Sequence, residues 1–165
     1  MKKIVEKKHR LQRELYRGQM IATFTICVFN KQKIFTTQEV FNQMERFLLD
    51  SLKKFDCGSL VYLFMPEHCH ITIEGCSEEA DLWRCIVSFK QVSGYWLAKH
   101  SLFGRCGFQP AIKWQKDFYD HILKKDEDVK KHVLYILNNP VRKGIVENWK
   151  DYPYKGSTKF NFYEW

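Results

Sequence analysis

The order of elements along the chain predicts an α+β fold, a ferredoxin-like antiparallel sheet with helices packed on one face. Short β-branched and aromatic runs alternate with amphipathic helical stretches in the order β-α-β-β-α-β, and a further helix follows. Two of the runs are separated only by a Pro66-Glu67 turn, which makes them a hairpin. No repeat or Pro/Gly/Ser-rich linker divides the 165 residues. That length suits one domain over 1–165, with a basic arm at 1–17 and an irregular aromatic tail at 147–165.

Met20–Phe29 (MIATFTICVF) reads as the first strand. Thr37 precedes Gln38 and Glu39, and Val40, Phe41, Met44, Phe47, Leu48 and Leu52 then recur at helical spacing to about Phe55. Ser59–Met65 and Cys69–Glu74 are the two arms of the hairpin. A second helix runs from Asp81 to about His100, with Leu82, Ile86, Phe89, Val92 and Trp96 on one side. Gly104–Gly107 breaks the chain, and Ala111–Tyr119 is the place for a fourth strand. Asp126–Asn138 is a third helix, which Pro140 is expected to end.

Lys and Arg number 27 against 19 Asp and Glu, a net charge of +8, and aromatics make up 16%. Cations that meet phosphates and rings that stack on bases make nucleic acid the first partner class to consider. No apolar run approaches the ~20 residues that span a bilayer. Cys27, Cys57, Cys69, Cys76, Cys85 and Cys106 include no CxxC pair, so neither a zinc ribbon nor a thioredoxin-like motif is supported. They read as small apolar residues of a reduced, cytoplasmic (nucleoid-associated) protein.

His68-Cys69-His70 opens a strand. Alternation puts both imidazoles on one sheet face, where they can share a divalent cation, and Cys69 in the core beneath. The same pattern also describes two surface histidines of a hairpin. On the third helix, Val133, Ile136 and Leu137 lie within about 50° of a common centre, and Tyr135 lies about 150° away. Asn139 and His132 share the face of Tyr135, and Lys131 lies on that side, able to hold a phosphate or lower the phenol's pKa. A solvated face with an amphipathic tyrosine would look alike. Because Pro140 disfavours helical geometry just before it, Asn138 is an alternative to Asn139.

In combination these segments resemble a known family. MPEHCHITIE resembles the hairpin of the HUH single-tyrosine (Y1) transposases, the IS200-like group. WQKDFYDHI at 114–122, YILNNPVRKGIV at 135–146 and the WxxYPY stretch from Trp149 to Tyr154 resemble its REP-associated tyrosine transposase branch. The resemblance spans about 15–157 in consistent order and implies the same ferredoxin-like fold. It implies that His68 and His70 bind a divalent metal ion, Mg2+ or Mn2+, that Asn139 is the third ligand and that Tyr135 is the nucleophile. Glu67 stands where the family has Asn, and Cys69 where it has an aliphatic residue. Glu67 would add a carboxylate near the metal. Tyr119 and His121 are a competing pair, since both share a face if their segment is a strand.

The activity implied is a metal-dependent single-stranded DNA endonuclease and strand transferase. It cleaves hairpin-flanked DNA through a 5′-phosphotyrosine and rejoins it without ATP, and no GxxxxGK[ST] loop is present. Lys124, Lys125, Lys130, Lys131, Arg142 and Lys143 flank the proposed helix as DNA-binding cations. Lys2, Lys3, Lys7, Lys8, Arg10, Arg13 and Arg17 form either a phosphate-tracking or a merely solubilising arm. Trp96, Phe103, Phe108 and Trp114 either stack on bases or pack. The partner is hairpin or palindromic single-stranded DNA, and both homodimers and monomers occur among single-tyrosine relatives. The rival reading is a domesticated, non-catalytic hairpin-DNA-binding protein. A replication-initiator relaxase and a ferredoxin-like RNA-binding protein stand further off.

Overall fold

A computed structural model describes residues 12–100, 112–124 and 128–165. Its five strands are β1 (Ile21–Cys27), β2 (Cys57–Met65), β3 (His68–Gly75), β4 (Tyr119–Ile122) and β5 (Lys155–Gly156). They form one antiparallel sheet in the order β4-β1-β3-β2-β5. The helices are α1 (Gln38–Lys54), α2 (Leu82–Lys99), α3 (Val129–Leu137) and the short α4 (Asn139–Arg142). The α+β sheet architecture is the one the element order predicts.

Local chemistry starts both crossover helices. Thr37 Oγ1 accepts from Val40 N at 3.3 Å, and Asp81 Oδ1 accepts from Arg84 N at 2.9 Å. Each satisfies a backbone donor that the first turn leaves without a partner. The apolar stripes of α1 and α2 then close one face of the sheet over Phe24, Ile26, Tyr62, Phe64, Cys69, Ile71 and Ile73. Phe64 is the aromatic hub there, with Phe35, Phe41 and Phe89 ring centroids at 5.1, 5.7 and 6.3 Å. Phe64→Ala is expected to cost about 3–5 kcal/mol in urea unfolding. A loss under about 1 kcal/mol would show that this cluster does not hold the sheet.

The expectation of helices on one face holds for α1 and α2 and is corrected for α3. Every residue of β2 is buried, so this strand is apolar on both sides. Val61, Leu63 and Met65 face away from α1 and α2 and are covered by Val133, Ile136 and Leu137 of α3, together with Tyr152. A strand with two apolar faces needs cover on both.

Other boundaries differ from expectation as well. The fourth strand lies at 119–122, and 112–118 is irregular with a lone bridge between Val28 and Trp114. Ala111, the glycine break at 104–107, Phe103, Phe108, Cys106 and the arm residues before Gln12 lie outside the described residues. The aromatic tail is more ordered than expected. Tyr152 Oη donates to Phe64 O at 2.7 Å, and β5 pairs with Tyr62 and Leu63 of β2. Gly156 permits that pairing, because a Cβ there would fall 2.2 Å from Tyr62 Oη. Cys57, Cys69 and Cys85 are buried as expected, while Cys76 is exposed. Among the described residues no helix is long and apolar enough to cross a membrane.

Candidate active site

The alternation of β3 places Cys69, Ile71 and Ile73 in the core at 0% exposure and turns His68 and His70 to the other face. The two Nε2 atoms lie 3.1 Å apart. Each ring is held at its other nitrogen. Thr25 is the register partner of His70 on β1, and its Oγ1 lies 2.9 Å from His70 Nδ1. Glu67 Oε1 lies 3.4 Å from His68 Nδ1. Burial pushes the His70 imidazolium pKa down to about 3, and the charges of His68, Arg142 and His132 add to this. Burial also lowers His68, against the opposing pull of the Glu67 carboxylate. Both rings are therefore held neutral, as metal ligation requires.

The pair fits one divalent ion. Two metal–nitrogen bonds of about 2.1 Å at roughly a right angle separate the nitrogens by about 3 Å. Among the described residues no group of three or more His, Cys, Asp or Glu is placed to hold a metal.

The tyrosine helix starts on Asp128, whose Oδ1 accepts from Lys131 N at 3.0 Å. Tyr135 is 63% exposed on its outer side. α3 ends at Leu137 with Asn138 as its C-cap, close to the expected end. Pro140 lies in the first turn of the separate α4, where a missing N–H costs little. Its missing donor nevertheless deprives Ile136 O of the usual i+4 partner, and Asn139 Nδ2 supplies one at 3.0 Å. Asn139 Oδ1 accepts from Arg142 Nη2 at 2.7 Å, and Arg142 Nη1 donates to Tyr135 O at 2.8 Å. The Arg142 guanidinium lies 4.1 Å from the Tyr135 ring centroid. Arg142 thus ties nucleophile candidate and ligand candidate together, and its charge reaches His70. An amide oxygen has two lone pairs, so Asn139 Oδ1 keeps capacity for a metal. Asn138 instead turns its Nδ2 to Leu134 O at 2.8 Å.

The other candidates divide. Arg142 and Lys143 are near the histidines, Lys143 acting on His68. Lys130 lies over the Trp165 ring at 5.1 Å. Lys124 and Lys131 are exposed, and Lys125 lies outside the described residues. His132 does not accompany Tyr135 outward as the helical wheel implied. Its Nε2 lies 3.4 Å from Thr72 Oγ1 on the sheet. Tyr119 and His121 do share a face: they pair with Thr25 and Thr23, on the histidine side, and both are exposed. Trp114 is buried and Trp96 packs against Phe47. Sequence reasoning missed Thr25 and the linking role of Arg142. The signal for Thr25 was available, because Thr23 and Thr25 are the polar alternates in a strand whose Ala22, Phe24 and Ile26 are core.

The histidine side of the sheet thus carries a convergent imidazole pair, and the helix that covers that side bears an exposed tyrosine. Residues 17–139 match the family model described as Transposase IS200 like, and the chain belongs to that family. It is 29% identical over 136 residues to the REP-associated tyrosine transposase of Escherichia coli, covering 79% of this chain and 72% of that protein. A Haemophilus influenzae protein whose name gives the same assignment provisionally is 25% identical over 134 residues, with 79% and 76% covered. Among solved structures, a REP-associated tyrosine transposase bound to a REP hairpin superposes with a TM-score of 0.70. That likeness, at 21% identity, covers 91% of this chain and 82% of the other and carries the fold.

Proposed function

We propose that this protein cleaves and rejoins single-stranded DNA beside a hairpin, with Tyr135 as nucleophile. The observation that carries the reading is the 3.1 Å convergence of two neutral, individually anchored imidazole nitrogens beneath the helix that bears Tyr135. His68, His70 and Asn139 would hold a divalent ion, which when bound supplies a Lewis acid for the scissile phosphate. Tyr135 Oη attacks phosphorus, a P–O bond forms and the bond from phosphorus to O3′ breaks. The phenolic proton is lost and the departing 3′ oxygen gains one, so the products are a 5′-phosphotyrosine and a 3′-OH. Attack by a 3′-OH reverses the step and joins strands. Arg142 limits the freedom of the phenol by stacking on its ring, and with Lys143 it offers positive charge to the phosphate. The solved relative, which is bound to a REP hairpin, supports a hairpin substrate.

The test is incubation of the purified protein with hairpin oligonucleotides in Mn2+ or Mg2+, followed by a denaturing gel. A shifted covalent adduct is expected. Tight hairpin binding with no adduct on any sequence would favour the non-catalytic reading.

Glu67 is expected to act through His68. It fixes the ring by accepting from Nδ1–H, which leaves the Nε2 lone pair for the metal. Glu67→Ala should weaken Mn2+ binding by about 10- to 100-fold, read by titration calorimetry. Glu67→Gln, which still offers an acceptor, should recover much of that loss. Equal affinity in both variants and the parent would remove this role.

A further inference from the structure

On the face of the sheet away from the histidines, α2 and the 112–118 segment leave a groove of about 610 Å3. Its lining includes Arg13, Arg84, Lys90, Lys113 and Lys116, with no Asp or Glu among the described residues. Lys90 is committed to the fold, donating to Gln115 O and Lys116 O at 3.0 and 3.1 Å. Arg13, Arg84, Lys113 and Lys116 are exposed. The wall is packed: Trp114 is 7% exposed and its indole N–H donates to Ser93 Oγ at 2.9 Å. Gly94 keeps the floor low, since a Cβ there would meet Trp114 Cδ1 at 3.3 Å.

Phe118, which lines the groove, directly precedes β4, the edge strand of the sheet. Phe118 turns inward against Phe24, with ring centroids 5.7 Å apart, while Tyr119 pairs with Thr25 on the histidine side. From β3 to that edge is two strand spacings, about 10 Å. We infer that this groove is a second nucleic-acid subsite, holding the sugar-phosphate backbone of an unpaired strand that crosses the β4 edge from the active face. The ligand's identity rests on the function proposed above. A cleft of this volume has the size of a small-molecule site and is too small to enclose a duplex. With Trp83 and Trp114 buried and Arg13, Arg84, Lys113 and Lys116 at the surface, it should bind by charge and without sequence preference.

The test uses Tyr135→Phe protein, so that cleavage does not enter. The probes are one hairpin oligonucleotide and the same hairpin with an unpaired tail. In the parent, the tail should improve affinity about tenfold or more. With Arg84→Glu, Lys113→Glu and Lys116→Glu combined, that advantage should vanish and affinity for the bare hairpin should hold. The slope of log affinity against log salt for the tailed probe should shrink by roughly 2, since each phosphate neutralised on a single strand accounts for about 0.7. The same charge change at Lys33, Lys53 and Lys54, exposed elsewhere, should keep the advantage. The subsite is overturned if the parent gains nothing from the tail, or if the groove triple keeps the gain. It is equally overturned if the control triple abolishes the gain. Failure of the cleavage reading shows separately, as a missing adduct with Tyr135 intact.

Discussion

Tyr135→Phe is expected to abolish covalent capture of DNA while leaving hairpin affinity within about twofold. The substitution removes one oxygen from a ring that is 63% exposed and keeps the ring under the Arg142 guanidinium at 4.1 Å. Packing and the cation–π contact therefore persist, and stability should change by less than about 0.5 kcal/mol. Loss of a nucleophile is of another order, about 10⁴-fold or more in rate. The adduct band on a denaturing gel should vanish with Tyr135→Phe and survive Tyr119→Phe. Tyr119 is also exposed on the histidine side, at the β4 edge, so this pair of variants separates the two phenols. Should the adduct persist in Tyr135→Phe and vanish in Tyr119→Phe, the edge tyrosine is the nucleophile.

Replacing both histidines should remove metal binding and metal-dependent cleavage together. His68 and His70 contribute the two nitrogens that face each other at 3.1 Å, and no cluster of three or more acidic, His or Cys side chains stands in for them among the described residues. In the His68→Ala, His70→Ala double variant, Mn2+ affinity should fall by more than about 100-fold, read by calorimetry without DNA. Cleavage should fall to the level seen with chelator. The fold should survive at a cost of about 1–3 kcal/mol, because Thr25 Oγ1 loses its partner in a half-buried place. Urea unfolding reports that cost independently. Unchanged Mn2+ affinity in a folded double variant would sink the metal-site proposal.

The reading of the chain succeeded where short-range chemistry decides. Thr37 caps the helix it precedes, and the strand alternation puts Cys69 in the core and its two histidine neighbours opposite. The wheel of α3 separates Val133, Ile136 and Leu137 from an exposed Tyr135. It misled at His132, whose intermediate angle on the wheel let the neighbouring sheet draw it to Thr72. At Pro140 the reading holds: α3 ends at Leu137, and the Asn139 amide reaches the Ile136 carbonyl that Pro140 leaves without its usual donor.

The sequence by itself determined the element order, the Thr37-capped first helix, the paired imidazoles on one strand face and the outward tyrosine. Each depends on residues within a few positions of one another. Tertiary structure alone decided that α3 covers the second face of β2, that Thr25 anchors His70 and that Arg142 joins Asn139 to Tyr135. It also decided that cations from 13, 84, 113 and 116 line one groove. These depend on strand register and on side chains brought together from distant positions, which local periodicity does not encode.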